Sequence, residues 1–326
     1  MIFVGLRLIS VLCFFTGLPA CVGLPVSGNV GGQTITTRVD SEAARYYLAN
    51  YLAGIRSNAA LDERIDRIYQ SADGNMPDRS ELKRLSDEFS IDFAALYLAD
   101  WIARTPADRN FRDAFLRAQD YTRIAIRDGR VKLPAQATDY EVVLVPGYLY
   151  KRYPLTGADL AAPIAALRRV GLAHHFIETD EEGAIEANAT LITQTIQARA
   201  YMKRRLIVVS VSKSGPEVAL ALTQLAPTVT RHVAAWINIV GTLRGTPLAD
   251  ESLAQQLEEL IGRVDIAGIE SLTTERSRRR FETLRIPQHI LVLNYIGIPL
   301  TGSISSLART GFVDLRKHGP NDGLPY

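Results

Sequence analysis

Between residues 139 and 296 the sequence alternates two patterns, and that alternation constrains its fold more than any other feature. Short apolar runs rich in β-branched residues occur at 140–145 (YEVVLV), 172–178, 205–211 (RLIVVSV), 232–240 and 289–296. Segments with apolar residues at helical spacing separate them, at 158–169, 184–202, 216–225 and 253–262. Runs this short and this apolar read as strands buried on both faces, and the segments between are long enough for crossover helices. The alternation predicts an α/β fold, a mostly parallel sheet with helices on both faces. On such a sheet ligands gather outside the carboxyl ends of the strands. The residues that follow each run are therefore the ones to inspect for chemistry.

Upstream the pattern is helical. Asp40 is placed to cap a helix, and Ala44, Tyr47, Leu48, Tyr51, Leu52 and Ile55 recur at helical spacing. A second segment carries Phe89, Phe93, Tyr97, Leu98, Trp101 and Ile102, and a third runs from Phe111 towards Gly129. Residues 40–135 are thus expected to form an all-helical region whose aromatic stripes are packing faces. Residues 21–39, rich in Gly, Val, Thr and Ser, read as a flexible tether.

The first residues hold one early cation, Arg7, then an apolar run that ends in Leu18-Pro19-Ala20-Cys21. The run is too short to span a bilayer and has the shape of a secretory signal. Leu, a small residue and Cys together resemble a bacterial lipobox. That resemblance implies a lipoprotein signal peptide over 1–20 and acylation of Cys21. The mature chain would then be lipid-anchored and extracytoplasmic, in a bacterial cell envelope. The chain has two cysteines, and the other, Cys13, lies in the segment to be removed, so no disulfide pair is expected. A net charge of +2 gives no reason to expect a nucleic-acid partner. No phosphate loop and no zinc or calcium spacing occurs, so no cofactor and no metal are expected.

Ser212 ends the 205–211 run and precedes a helical pattern, which is where a nucleophile elbow belongs. The sharp turn needs small residues two before and two after, and here Ser210 and Ser214 stand there, with Gly215 next. The run 142–145 ends in Pro146-Gly147-Tyr148, "GTPLAD" occupies 245–250, and "KHGPNDG" occupies 317–323. In this order the segments resemble those of the α/β-hydrolase superfamily, in particular its lipase- and esterase-like members. The resemblance covers residues 139–326 and implies an α/β-hydrolase domain there. It implies Ser212 as nucleophile, an oxyanion hole from the backbone N–H groups of Tyr148 and Lys213, and Asp322 as the triad acid. It also makes "GTPLAD" a pocket wall.

Three departures stand out: serine at both elbow flanks, Pro146 where relatives carry histidine, and no histidine after Asp322. The five histidines are His174, His175, His232, His289 and His318. The superfamily order is Ser, acid, His. The base is therefore expected beyond residue 326, in a domain incomplete at its carboxyl end. Asp250 and His318 form the fallback pair.

The expected activity is hydrolysis of carboxylic esters, acyl esters or lipids, through a Ser-His-Asp triad and an acyl-enzyme. The alternative is a non-catalytic anchored lipoprotein that uses the same scaffold for binding. The Lys213 side chain is expected to matter little to catalysis, with Lys213→Met costing less than about tenfold in kcat/KM. The basic run 276–281 is expected to be a solvated helix face.

The lipobox reading makes a direct prediction. Expressed in a bacterium, the protein should incorporate labelled fatty acid and enter the detergent phase, and Cys21→Ser should stop both. Equal labelling of the serine variant would exclude acylation at Cys21.

Overall fold

The computed structural model describes residues 23–72, 74–106, 109–114, 116–118, 133–202, 204–250, 266–306 and 308–323. The signal segment, Cys21, the end of the segment predicted helical from Phe111 towards Gly129, and the segment 253–262 lie outside these residues.

The expected tether is a β-hairpin. Strands β1 (Leu24–Val30) and β2 (Gln33–Val39) pair antiparallel along their whole length. Gly31 and Gly32 join them at φ of 59° and 86°, the left-handed pair that a tight hairpin turn requires. Val26, Val30 and Val39 point inward and are buried. The Gly and Thr content that suggested a tether serves the turn and the solvent face.

Helix α1 (Glu42–Tyr46) follows, capped by Ser41 rather than Asp40, and runs into a π-helical turn, Tyr47–Tyr51. Then come α2 (Ala59–Ser71), α3 (Arg79–Glu88) and α4 (Ile91–Arg104). Asn58, Asp78 and Ser90 cap them, each accepting the N–H three residues on. The aromatic pattern at 89–102 predicts α4, whereas α2 and α3 carry too few large apolar residues to announce themselves. The hairpin and these helices share one core around Tyr47, Leu48, Ile65, Leu85, Phe93 and Leu96.

A 3-10 turn (Ala135–Asp139) leads into β3 (Tyr140–Val145). The chain continues through α5 (Ala161–Val170), β4 (His174–Phe176), α6 (Ile185–Ala200), β5 (Arg205–Val211) and α7 (Ser214–Gln224). After α8 (Pro227–Thr230) come β6 (Val233–Ile239), α9 (Pro247–Asp250), α10 (Ala267–Glu270), α11 (Thr274–Thr283) and β7 (Leu291–Tyr295). The five strands form one parallel sheet in the order β4-β3-β5-β6-β7. Val143, Val145, Leu206, Val208 and Trp236 face α6 and α7. Val142, Leu144 and Val209 face α5 on the other side. The chain steps outward from β3 to β4, then returns past β3 to β5. Its direction of travel therefore reverses between β3 and β5, the place where open α/β sheets bind ligands.

The sequence assigns everything after residue 139 to the sheet unit, but the chain leaves the sheet after β7. Ile298 and Leu300 fill the amino-terminal core. Helix α12 (Arg309–Leu315) contributes Phe312 to a cluster with Ile91 and Ile304. A polar clasp fixes the return. Asp92 Oδ1 accepts the Thr301 N–H and hydroxyl at 2.9 and 3.1 Å, and Asp92 Oδ2 accepts the Asp40 N–H at 2.7 Å.

Burial, then the neighbouring Asp40 carboxylate, push Asp92 up to about 6, while the donors just named hold it back. A carboxyl raised in the folded state binds its proton more tightly there than in the unfolded chain. Its contribution to stability is therefore present in acid and is lost as pH rises from about 4 to about 6. Asp40→Asn removes the second cause, so the Asp92 midpoint should move down in an NMR carboxyl titration. An unchanged or higher midpoint would show that Asp40 does not act on it.

Candidate active site

Ser212 follows β5 immediately and has φ of 57°. A left-handed conformation at a residue other than glycine costs on the order of 1–3 kcal/mol and persists only where neighbours enforce it. Here the Ser212 N–H donates to Ile239 O at 2.9 Å, and its carbonyl accepts Gly215 N–H at 3.0 Å and Thr242 N–H at 3.3 Å. The Ser212 Oγ is buried and has no hydrogen-bond partner among the described residues. An unsatisfied buried hydroxyl costs about another 1–3 kcal/mol. Strain and an orphaned hydroxyl at one residue mark a reacting group better than a packing one.

The elbow explains why serine replaces glycine at both flanks. Ser210 Oγ donates to Asn238 Oδ1 at 3.0 Å and accepts Trp236 Nε1–H at 2.9 Å. Ser214 Oγ lies 2.9 Å from both Val145 O and Val211 O, and accepts Val211 N–H at 2.8 Å. Each serine thus ties β5 to a neighbouring strand, which glycine would not do. Gly215 is needed for space, because a Cβ there would lie 2.7 Å from Asn238 Oδ1 and 2.8 Å from Gly241 Cα.

The loop after β3 lies against this turn. A Cβ on Gly147 would stand 3.5 Å from Ser212 Cβ and 3.2 Å from Val211 O. The Gly147 N–H donates to Ala158 O at 2.9 Å. Leu149 and Val240, which follow β3 and β6, also have positive φ, at 52° and 45°. A left-handed residue thus follows each of three adjacent strands, immediately after β5 and β6 and four residues after β3. Tyr148 follows Gly147 in the β3 loop, and Lys213 is the residue just before α7. The partial positive charge of a helix start favours negative charge beside it. Of "GTPLAD", Ala249 packs against the cluster of Tyr148, Leu149 and Ile269, so α9 borders this loop.

The Lys213 side chain has a structural role that the sequence reading does not assign to it. Its side chain is 3% exposed and donates to Glu217 Oε1 at 2.5 Å, one helical turn on. Glu217 is buried as well and accepts Asn188 Nδ2–H at 2.8 Å. Burial pushes the Glu217 carboxyl up, and Lys213 and Asn188 pull it back. The lysine side chain is a packed structural element, and the sequence carried a signal for it in the i, i+4 pairing of Lys213 with Glu217.

The histidines sit elsewhere. His174 and His175 are in β4, paired with Val142 and Val143. Val142 is level with Ile207, five residues before Ser212 on β5, which is about 16 Å at strand rise. His232 and His289 precede β6 and β7, at the opposite end of the sheet, and His289 Nε2 lies 2.9 Å from Thr230 O. Asp250 is occupied: its carboxylate accepts the Thr274 N–H at 2.9 Å and hydroxyl at 2.6 Å, at the start of α11.

The Asn-Asp-Gly turn holding Asp322 follows α12 and a 3-10 turn (Arg316–His318), not a strand. A Cβ on Gly319 would lie 3.4 Å from the Lys83 backbone of α3, and one on Gly323 would lie 2.8 Å from Phe312 N. His318 and Asp322 thus belong to the segment seated on the helical region. In the basic run, Arg278 and Arg279 pair with Glu275 and Glu282 as a solvated face, but Arg280 turns inward to Glu186 at 2.6 Å.

A parallel sheet flanked by helices, with a left-handed serine between β5 and α7 beside the β3 loop, is the α/β-hydrolase fold. No family model matches the chain, and comparison with curated proteins gave no match. Among solved structures, a metagenomic carboxyl esterase is similar at 18% identity and a TM-score of 0.48, over 59% of this chain and 63% of that one. The mature lipase BlEst2 of Bacillus licheniformis is similar at 22% identity and a TM-score of 0.45, over 59% of this chain and 79% of the lipase. Phospholipase PlaB from Legionella pneumophila matches at 14% identity and 0.34, over 48% of this chain and 39% of that one. The chain spans less than two thirds of the esterase's length. Overlaps of this quality carry no inference about chemistry, which rests on the Ser212 turn itself.

The buried pair predicts a stability effect. Lys213→Met leaves the Glu217 carboxylate buried without its cation and should cost about 3 kcal/mol in denaturant unfolding at pH 7. Adding Glu217→Gln, which still accepts from Asn188, should recover most of that. Costs that simply add would mean the two side chains are not coupled.

Proposed function

We propose that this protein is a serine hydrolase acting on carboxylic esters, with acyl esters or lipids as the substrate class. The observation that carries the reading is the strained Ser212, its buried Oγ without a partner among the described residues, beside the Gly147 loop. In this reading Ser212 Oγ attacks the ester carbonyl. The oxyanion collects on the backbone N–H groups of Tyr148 and Lys213, aided by the start of α7. A histidine base takes the Ser212 proton and passes it to the departing alcohol, and water, deprotonated by the same base, then cleaves the acyl-enzyme.

The base is a histidine other than His174, His175, His232 and His289, which lie in or before their strands. Asp322 is proposed as the acid that orients it. The Asp250–His318 alternative is disfavoured, because the Asp250 carboxylate is engaged by Thr274. Acylation at Cys21 would hold the enzyme at an extracytoplasmic membrane surface, next to lipid esters. Among the described residues no helix is long and apolar enough to cross a membrane, and an acyl anchor needs none.

A fluorophosphonate probe tests the nucleophile. The full gene product should be labelled, and Ser212→Ala should remove the label together with hydrolysis of a short p-nitrophenyl ester. Equal labelling of the alanine variant would take Ser212 out of the mechanism and favour a binding role for the scaffold.

A further inference from the structure

The two backbone groups proposed to receive the oxyanion follow β3 and β5, whose ends are paired as far as Val145 and Ser210, but Tyr148 lies three residues beyond that pairing, in a loop the sheet does not hold. The loop 179–182, between β4 and α6, reaches both. On the β3 side, Glu181 Oε2 accepts the N–H groups of Lys151 at 2.7 Å and Arg152 at 3.2 Å. The Glu181 carbonyl accepts Leu149 N–H at 3.4 Å, and Tyr150 OH donates to Thr179 O at 3.2 Å. Arg152 pairs with Glu182 at 2.7 Å.

On the β5 side, Asn188 grips the same loop from both ends of its amide. Its Oδ1 accepts Asp180 N–H at 3.1 Å, and its Nδ2 donates to Asp180 O at 2.8 Å. Nδ2 also donates to Glu217, which holds Lys213. Asn188, Glu217 and Lys213 are 3%, 1% and 2% exposed. An unbroken polar route therefore runs from the residue after Ser212, through the loop, to the segment that follows Tyr148.

We infer that Glu181, Asn188 and Glu217 are positioning residues, a strut that sets the separation of the Tyr148 and Lys213 N–H groups. The inference rests on the hydrolase reading of Ser212. It explains why a lysine–glutamate pair is buried beside the serine. A bare ion pair there would contribute little to net stability. One that Asn188 couples to a second loop adds rigidity where charge develops, and small misplacements of such donors are costly to rate.

The test uses the full gene product with a fluorophosphonate probe and a p-nitrophenyl ester. Asn188→Ala and Glu181→Ala should each lower kcat and the labelling rate by about tenfold or more, with KM changed less than about twofold. Glu181→Gln keeps an oxygen for the Lys151 and Arg152 N–H groups and should stay near the wild-type rate. Glu181 is half-buried at the surface, so its variants should fold even if Asn188→Ala does not. The 31P resonance of the phosphonylated serine, which reports hydrogen bonding to the phosphoryl oxygen, should move in Glu181→Ala and not in Glu181→Gln. Wild-type labelling rates and an unmoved resonance in Glu181→Ala would overturn the strut and leave the hydrolase reading intact. Failure of the unmodified protein to be labelled would overturn both.

Discussion

An L-residue held at φ of 57° between a buried strand and a helix is the constraint on which the rest of this site depends. The strain is stable only because three backbone hydrogen bonds, to Ile239, Gly215 and Thr242, fix both sides of the peptide. Those bonds require β6 beside β5 and a glycine at 215 with no Cβ to strike Asn238. The parallel order of the sheet supplies the first, and the reversal between β3 and β5 brings Gly147 against the turn. Sheet topology, local strain and the burial of one unpartnered hydroxyl are thus one arrangement seen at three scales.

The chain secures this arrangement with polar groups where glycine would merely fit. Ser210 and Ser214 fill the flanks and bond to β6 and β3. Lys213, Glu217 and Asn188 form a buried network that continues into the loop over β4. Such networks are costly when incomplete and rigidifying when satisfied. Away from the sheet, the return of residues 298–318 onto the hairpin and helices joins two cores through the Asp92–Thr301 clasp. That clasp holds a carboxyl pushed up to about 6, so the junction loses part of its stability as pH rises from about 4 to about 6.

What could be read from sequence follows from what each element buries. Strands covered on both faces announce themselves as continuous β-branched runs, so β3, β5 and β6 stand close to where the pattern puts them. Ser212, Gly147 and their proximity follow from strand–turn–helix grammar and parallel topology. The hairpin is hidden because half its residues face water and its turn glycines look like linker. Helices α2 and α3 are marked mainly by their caps, Asn58 and Asp78. The burial of Lys213 was not legible as burial, since a lysine enters a core only when its partners come with it. Asn188, one of those partners, is distant in sequence. Nor does any local pattern say that residues after β7 leave the sheet, because Ile298 and Leu300 would suit either core.

The central claim is that the Ser212 Oγ and the N–H groups of Tyr148 and Lys213 converge on one reacting carbonyl. A crystal structure of the protein after reaction with a small phosphonate ester tests this most directly. The account predicts phosphorus bonded to Ser212 Oγ, with the phosphoryl oxygen about 2.7–3.1 Å from both backbone nitrogens. An adduct on another residue, or a phosphoryl oxygen turned to solvent away from Tyr148 and Lys213, would contradict it.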